Sequence, residues 1–272
     1  MMRQEKLYFG MNRKALFFDI DGTLFSEIVR QVPQSAVLAL KKSRDSGNLV
    51  FINTGRTWCQ TEGIRGEVET DGMLCGCGTY LTAENKVLYD RRVSPERINW
   101  IREAVSRFRL DAVLEGVNHC YFRPGGPVLP RMKRIQSYLE SGGTQFAGSW
   151  DAPDCSISKF CVVADENSDA SGFFAGLLDF DIIDRGGNFY ECVPAGHSKA
   201  SAIQRILEEY GISLDDAWVF GDSMNDLSMF QYAKNAVLMG KHDAGLEPYA
   251  TFTTRTVEED GIAWALEQLK LL

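Results

Sequence analysis

Ala15-Leu16-Phe17-Phe18-Asp19-Ile20-Asp21-Gly22-Thr23 is the stretch that decides the fold. Four apolar residues run into two carboxylates spaced two apart, and a turn glycine follows. Side chains at i and i+2 of a strand point to the same face, so Asp19 and Asp21 are expected to converge where the strand leaves its sheet. In open α/β sheets that carboxyl edge is where ligands bind.

The same grammar recurs outward from this stretch. A helix is predicted over 33–46, with Lys41, Lys42 and Arg44 near its end and Gly47 as the stop. Leu49-Val50-Phe51-Ile52 is the next buried strand, and it runs straight into Asn53-Thr54-Gly55-Arg56. After about Phe189 the alternation returns. Ile203, Ile206, Leu207 and Tyr210 give a helix face ended by Gly211, and Ala217-Trp218-Val219-Phe220 is a strand followed at once by Gly221-Asp222. A further strand at 236–239 and a closing helix carrying Ile262, Ala265, Leu266 and Leu269 complete the pattern.

Between these parts the pattern changes. A helix opens at Ser94-Pro95, and segments 111–117, 119–123 and 156–164 read as strands, punctuated by Pro124-Gly125-Gly126-Pro127 and Ser141-Gly142-Gly143. The expected architecture is α/β: a Rossmann-like parallel-sheet core with helices on both faces, formed by 11–84 and 188–272 and interrupted by a smaller α+β domain at 85–187. Residues 1–10 carry no recognisable motif.

With 272 residues the chain can bury a core without staples, and its seven cysteines stand at irregular positions that form no disulfide framework. No apolar run approaches a membrane span and no export segment is evident, so the expected location is cytoplasmic with no membrane partner. A net charge of -8 argues against a broad nucleic-acid footprint. The Arg131 to Arg134 basic cluster reads as a solvated helix face. A monomer or small homo-oligomer is expected.

Four polar clusters border the regular elements of the α/β part: Asp19 with Asp21, Thr54 with Arg56, Lys199, and Asp222 with Asn225 and Asp226. Several carboxylates in one pocket repel, and a divalent cation is the natural way to keep them ionised. Mg²⁺ suits oxygen ligands and phosphates. Lys199 can set a compact positive charge beside a carboxylate and a phosphoryl group. Taken singly, each cluster also reads as a turn, a helix cap or an exposed lysine.

Taken together, Asp-x-Asp-Gly-Thr at 19–23, Asn-Thr-Gly-Arg at 53–56, Gly-His-Ser-Lys at 196–199 and Gly-Asp-Ser-Met-Asn-Asp at 221–226 resemble the haloacid dehalogenase superfamily in identity, order and spacing. The insert looks like the type C2 cap of its Cof-like sugar-phosphate phosphatases. The resemblance implies that Asp19 is the nucleophile and forms an aspartyl-phosphate, and that Asp21 protonates the leaving alcohol and then activates water. It implies Mg²⁺ held by Asp19, the Asp21 carbonyl and Asp222, with Asp226 as a supporting ligand or a nearby acid. It also implies a substrate phosphate met by Thr54, Gly55, Arg56, Lys199 and Asn225. The partner is then a small phosphorylated metabolite, a sugar phosphate first.

One position departs from the family pattern: Cys75-Gly76-Cys77-Gly78-Thr79 stands where many relatives carry Asn-Gly. Cap residues His119, Tyr121, Arg123 and Trp150 are candidates to meet the leaving group. A phosphomutase with the same cap type and, from a different class, a phospho-acceptor regulator are the competing functions. The length of the insert argues against the regulator, because a receiver needs no lid.

Overall fold

The computed structural model describes residues 13–272; the reading of residues 1–10 falls outside them. Strands β1 (Ala15–Phe18), β2 (Leu49–Asn53), β3 (Gly72–Cys75), β4 (Tyr80–Ala83) and β5 (Lys86–Asp90) are followed by β6 (Asp111–Glu115), β7 (Cys120–Tyr121), β8 (Lys159–Val163), β9 (Phe180–Asp184) and β10 (Phe189–Pro194). Strands β11 (Ala217–Gly221), β12 (Asn235–Leu238) and β13 (Phe252–Thr253) complete the set among the described residues. Helices α1 (Gln34–Asp45), α2 (Glu62–Glu67), α3 (Pro95–Arg107), α4 (Pro130–Ser141), α5 (Ala170–Ala175), α6 (Lys199–Tyr210), α7 (Leu227–Tyr232) and α8 (Gly261–Gln268) connect them.

An eight-stranded sheet runs in the order β13-β12-β11-β1-β2-β3-β4-β5. The pairs from β13 through β3 are parallel. The short run Ala15–Phe18 lies in the middle and is buried throughout, as a strand covered on both faces requires. Its side chains alternate: Leu16 and Phe18 pack with α1 and α8, while Ala15 and Phe17 pack with α6 and α7. Central placement brings the ends of β1, β2 and β11 side by side. The second sheet has five strands in the order β7-β6-β8-β10-β9, all antiparallel, and packs on α3 and α5 through Ile101, Leu114, Phe160 and Phe173.

Two strands fall on the other side of the expected boundaries. The segment Lys86–Asp90 joins the eight-stranded sheet, because Glu84 and Asn85 both take left-handed φ and fold it back onto β4. The segment Phe189–Pro194 joins the five-stranded sheet between β8 and β9. The chain therefore changes sheets near 91–93 and 195–198, rather than at 84/85 and 187/188. The parallel core also gains an antiparallel extension, β3-β4-β5.

Candidate active site

Three strand ends and one helix start build the site. The backbone N–H of Asp19, just past β1, donates to the Phe220 carbonyl of β11 at 3.0 Å. On β2, Asn53 donates its side-chain amide to the Lys199 carbonyl at 3.0 Å. That bond fixes the start of α6 against the next motif. Ser198 caps α6, accepting from the Ser201 N–H at 3.1 Å while the Ser201 hydroxyl accepts from the Ser198 N–H at 2.9 Å. The first helical side chain, Lys199, is thereby aimed inward and is 1% exposed.

The Lys199 ammonium donates to Asp19 Oδ1 and to Asp226 Oδ1, both at 2.6 Å. Carboxylate oxygens of Asp19, Asp222 and Asp226 lie within 4.8 Å of one another. The other oxygen of Asp226 accepts from the backbone N–H groups of Asp222 at 2.9 Å and Ser223 at 3.2 Å. Thr23 donates its hydroxyl to Asp222 at 3.2 Å. Gly22 is required here: its φ is +79°, and a Cβ would stand 2.3 Å from Asp222 Oδ2.

Three carboxylates around one ammonium leave an excess of negative charge. Burial pushes the Asp19 carboxyl up to about 7 against the opposing pull of Lys199, with Asp226 and Asp21 adding repulsion. Burial, then repulsion from Asp19 and Asp226, pushes Asp222 up to about 8. Lys199 is held above the ordinary lysine range, because the two aspartates outweigh its burial. A set of hard oxygen donors with unneutralised charge fits a divalent cation such as Mg²⁺.

Asp21 is placed differently. Its carboxylate turns away from the other three and pairs with the Arg56 guanidinium, whose Nε donates at 2.9 Å and whose Nη2 makes a second, shorter contact. Tyr138, on α4 of the second domain, approaches the same carboxylate at 3.4 Å. The convergence expected of Asp19 and Asp21 thus holds for the sheet edge and not for their partners. Arg56, expected at the phosphate, is engaged by Asp21. Its guanidinium stays firmly protonated because that pairing overrides burial. Thr54 is buried, and its hydroxyl accepts from the Arg56 N–H at 3.1 Å, which leaves its proton free to donate. Asn225 is bonded to Ser223 at 2.8 Å.

The smaller domain closes over this edge. A cavity of about 250 Å³ beside Asp21 is walled by Arg30, Arg56 and Gln60 from the core and by Tyr138 and Thr144 from the other side. Its sheet presents a buried ion cluster: Lys159 lies 2.6 Å from Glu115 and 2.9 Å from Glu191, and Arg185 lies 3.6 Å from Glu191. Glu191 abuts the Thr54-Gly55 turn, since a Cβ on Gly55 would stand 3.2 Å from it. It also accepts from the Cys77 thiol at 3.3 Å. Cys77 takes φ +54° between two left-handed glycines, a conformation that suits Asn and Gly better than cysteine.

The profile of the haloacid dehalogenase-like hydrolases matches residues 16–266. The chain belongs to that family. It is 28% identical to YkrA of Bacillus subtilis (strain 168), over 96% of this chain and all of the relative. It is 26% identical to the HMP-PP phosphatase of Enterobacter sp. (strain 638), over 82% of each chain. Among solved structures, the phosphatase BT1666 from Bacteroides thetaiotaomicron superposes with a TM-score of 0.82 and 25% identity, covering 96% of both chains. The fold is therefore that of this hydrolase family, of the Cof-like kind, and the protein is a phosphatase.

Some of its residues escaped the reading of the sequence. Of the four cap candidates, Tyr121 and Trp150 are buried in the cap's own hydrophobic cluster, Arg123 stacks over Trp150, and His119 packs edge-on to Tyr121. Tyr138 and Glu191 touch core residues instead, and Lys159 ties Glu115 to Glu191. Only strand register brings the last three together, with Glu115 opposite Lys159 on β6 and β8.

Proposed function

We propose that the chain is a Mg²⁺-dependent phosphomonoester hydrolase that works through an aspartyl-phosphate and acts on a small phosphorylated metabolite, a sugar phosphate first. The observation that carries this reading is the Lys199 ammonium at 2.6 Å from both Asp19 and Asp226, with Asp222 completing an acidic group at the ends of β1 and β11. The HMP-PP phosphatase relative supports a small phosphorylated substrate. A cation held by Asp19, Asp222 and the Asp21 carbonyl, with Asp226 behind them, would neutralise charge on the phosphoryl oxygens.

The side chains divide the remaining work. Asp19 attacks phosphorus, and Lys199 keeps it oriented while offsetting charge on the transferring group. Thr54 offers its free hydroxyl proton to a phosphoryl oxygen. Asp21 leaves Arg56, takes up a proton from solvent, gives it to the departing alcohol and then takes one from the attacking water. The cap limits water access while the intermediate persists.

The test is phosphate release across sugar phosphates, nucleotides, pyridoxal phosphate and flavin mononucleotide, with and without Mg²⁺. Asp19→Asn is expected to abolish turnover at saturating Mg²⁺ while the protein still melts cooperatively as a folded chain. Retention of the full rate would overturn the assignment.

A further inference from the structure

Cys59 sits three residues after Arg56, on the short turn Trp58–Gln60, and belongs to the core domain by sequence and by sheet neighbours. Its side chain is plugged into a cluster otherwise supplied by the cap, with Val113, Phe122, Met132 and Cys161 around it. The Cys59 thiol donates to the Gly116 carbonyl at 3.4 Å, and its sulfur lies 3.7 Å from that of Cys120 on β7. Two thiols, one from each domain, therefore touch across the interface. A disulfide needs its sulfurs at about 2.05 Å, so closure requires roughly 1.7 Å of sulfur travel, within reach of side-chain rotation and a small shift of the cap. Cys161 shares the cluster but faces the Lys159 ammonium at 3.8 Å.

We propose that Cys59 and Cys120 are a reversible oxidation site, at which a small peroxide links the cap covalently to the core. Cys59 retains 5% of its surface exposed and Cys120 none, so a small neutral oxidant meets Cys59 first. Hydrogen bonds with Cys120 and Thr57 hold the Cys59 thiol below its usual range despite burial, in line with that order. The Cys59 thiol loses its proton, its sulfur attacks one peroxide oxygen, the O–O bond breaks, and a sulfenic acid forms as the released hydroxide takes up that proton and leaves as the first water. The Cys120 sulfur, losing its proton, then attacks the Cys59 sulfur. The S–S bond forms, the S–O bond breaks, and the hydroxide departs with that proton as the second water. Two thiols are oxidised and one peroxide is reduced to two waters. A dithiol reverses the link.

The consequence for turnover rests on the phosphatase reading; the link itself does not. Substrate reaches a covered site only when the cap separates from the core, and the bond would hold it down beside the loop that carries Arg56. The experiment treats the full chain with hydrogen peroxide, blocks free thiols with N-ethylmaleimide and maps peptides by mass. The expected product is a Cys59–Cys120 linked peptide, with hydrolysis of 4-nitrophenyl phosphate lowered at least tenfold and restored by dithiothreitol. Cys120→Ser should keep the reduced rate and abolish the dithiothreitol-reversible loss. Cys59→Ala, which changes the other domain, repeats the test if Cys120→Ser fails to fold. Absence of the linked peptide in treated wild-type protein, or pairing of Cys59 with Cys161, overturns the proposal. A linked peptide with undiminished turnover overturns the locking of the cap. Failure of the phosphatase reading shows separately, as no hydrolysis before oxidation.

Discussion

The acidic pocket at the end of β1 and the Glu115–Lys159–Glu191 centre of the cap sheet's ion cluster are both largely buried, yet their charges are composed differently. The pocket sets Asp19, Asp222 and Asp226 against Lys199 alone. The cluster sets Glu115 and Glu191 against Lys159 and Arg185. Their carboxyls respond in opposite directions: Asp19 and Asp222 are pushed up to about 7 and 8, whereas Glu191, under heavy burial of its own, is held below its ordinary value by Lys159 and Arg185. Burial alone does not make a functional carboxylate. A balanced cluster satisfies itself, and an unbalanced one keeps charge that a cation from solution can neutralise.

Substituting the two lysines should separate these roles. Lys199→Met is expected to lower phosphate release by about 10³-fold, roughly 4 kcal/mol of transition-state stabilisation. Its urea midpoint at pH 6 should move little, because Asp19 and Asp222 accept protons when the ammonium is gone. Lys159→Met leaves Glu115 without a cation and Glu191 with Arg185 alone, and is expected to cost about 3–5 kcal/mol of stability by urea unfolding. If Lys159→Met unfolds no more readily than Lys199→Met, the contrast between the clusters fails.

A third expectation concerns pH. Unfolded aspartates ionise near 3.9, while Asp19 and Asp222 in the metal-free fold keep protons up to about 7 and 8. Between about pH 4 and 8 the native state binds more protons than the unfolded chain, so stability falls as pH rises. Glu191 has the opposite sign and weakens the fold only in acid, as pH drops through its lowered value. Urea midpoints measured from pH 5 to 8 in chelator should decline, and Mg²⁺ should flatten the decline; a rise in chelator would contradict it. The smallest effect is expected of Tyr138→Phe. Its 3.4 Å contact with Asp21 is long, and kcat should stay within about threefold.

The strand ends were legible in the sequence because local signals coincide there: an apolar run fixes the strand, and the polar residues that follow have nowhere to go but the sheet edge. Lys199 was legible for the same reason, at the start of a helix with a cap. The cap cluster was not. Glu115, Lys159 and Glu191 are separated by long stretches and meet only through antiparallel register, which no local pattern reports. The limits drawn at 84/85 and 187/188 could not place Lys86–Asp90 and Phe189–Pro194 in their sheets for the same reason, since a strand's own residues do not say which neighbour it joins. Asp21 lies at the sheet edge, where the alternation places it. Its partner was missed, because a guanidinium 35 residues away competes for it.

The hydrogen bond from the Asn53 side-chain amide to the Lys199 carbonyl spans 146 residues and ties the second strand of the core to the point where the chain returns from the cap. The core is thereby a socket whose two rims are fastened to each other rather than through the lid. A lid of different length or shape can be spliced between those rims with the catalytic edge left in register, so new substrate preferences are open to this scaffold by exchanging the insert alone.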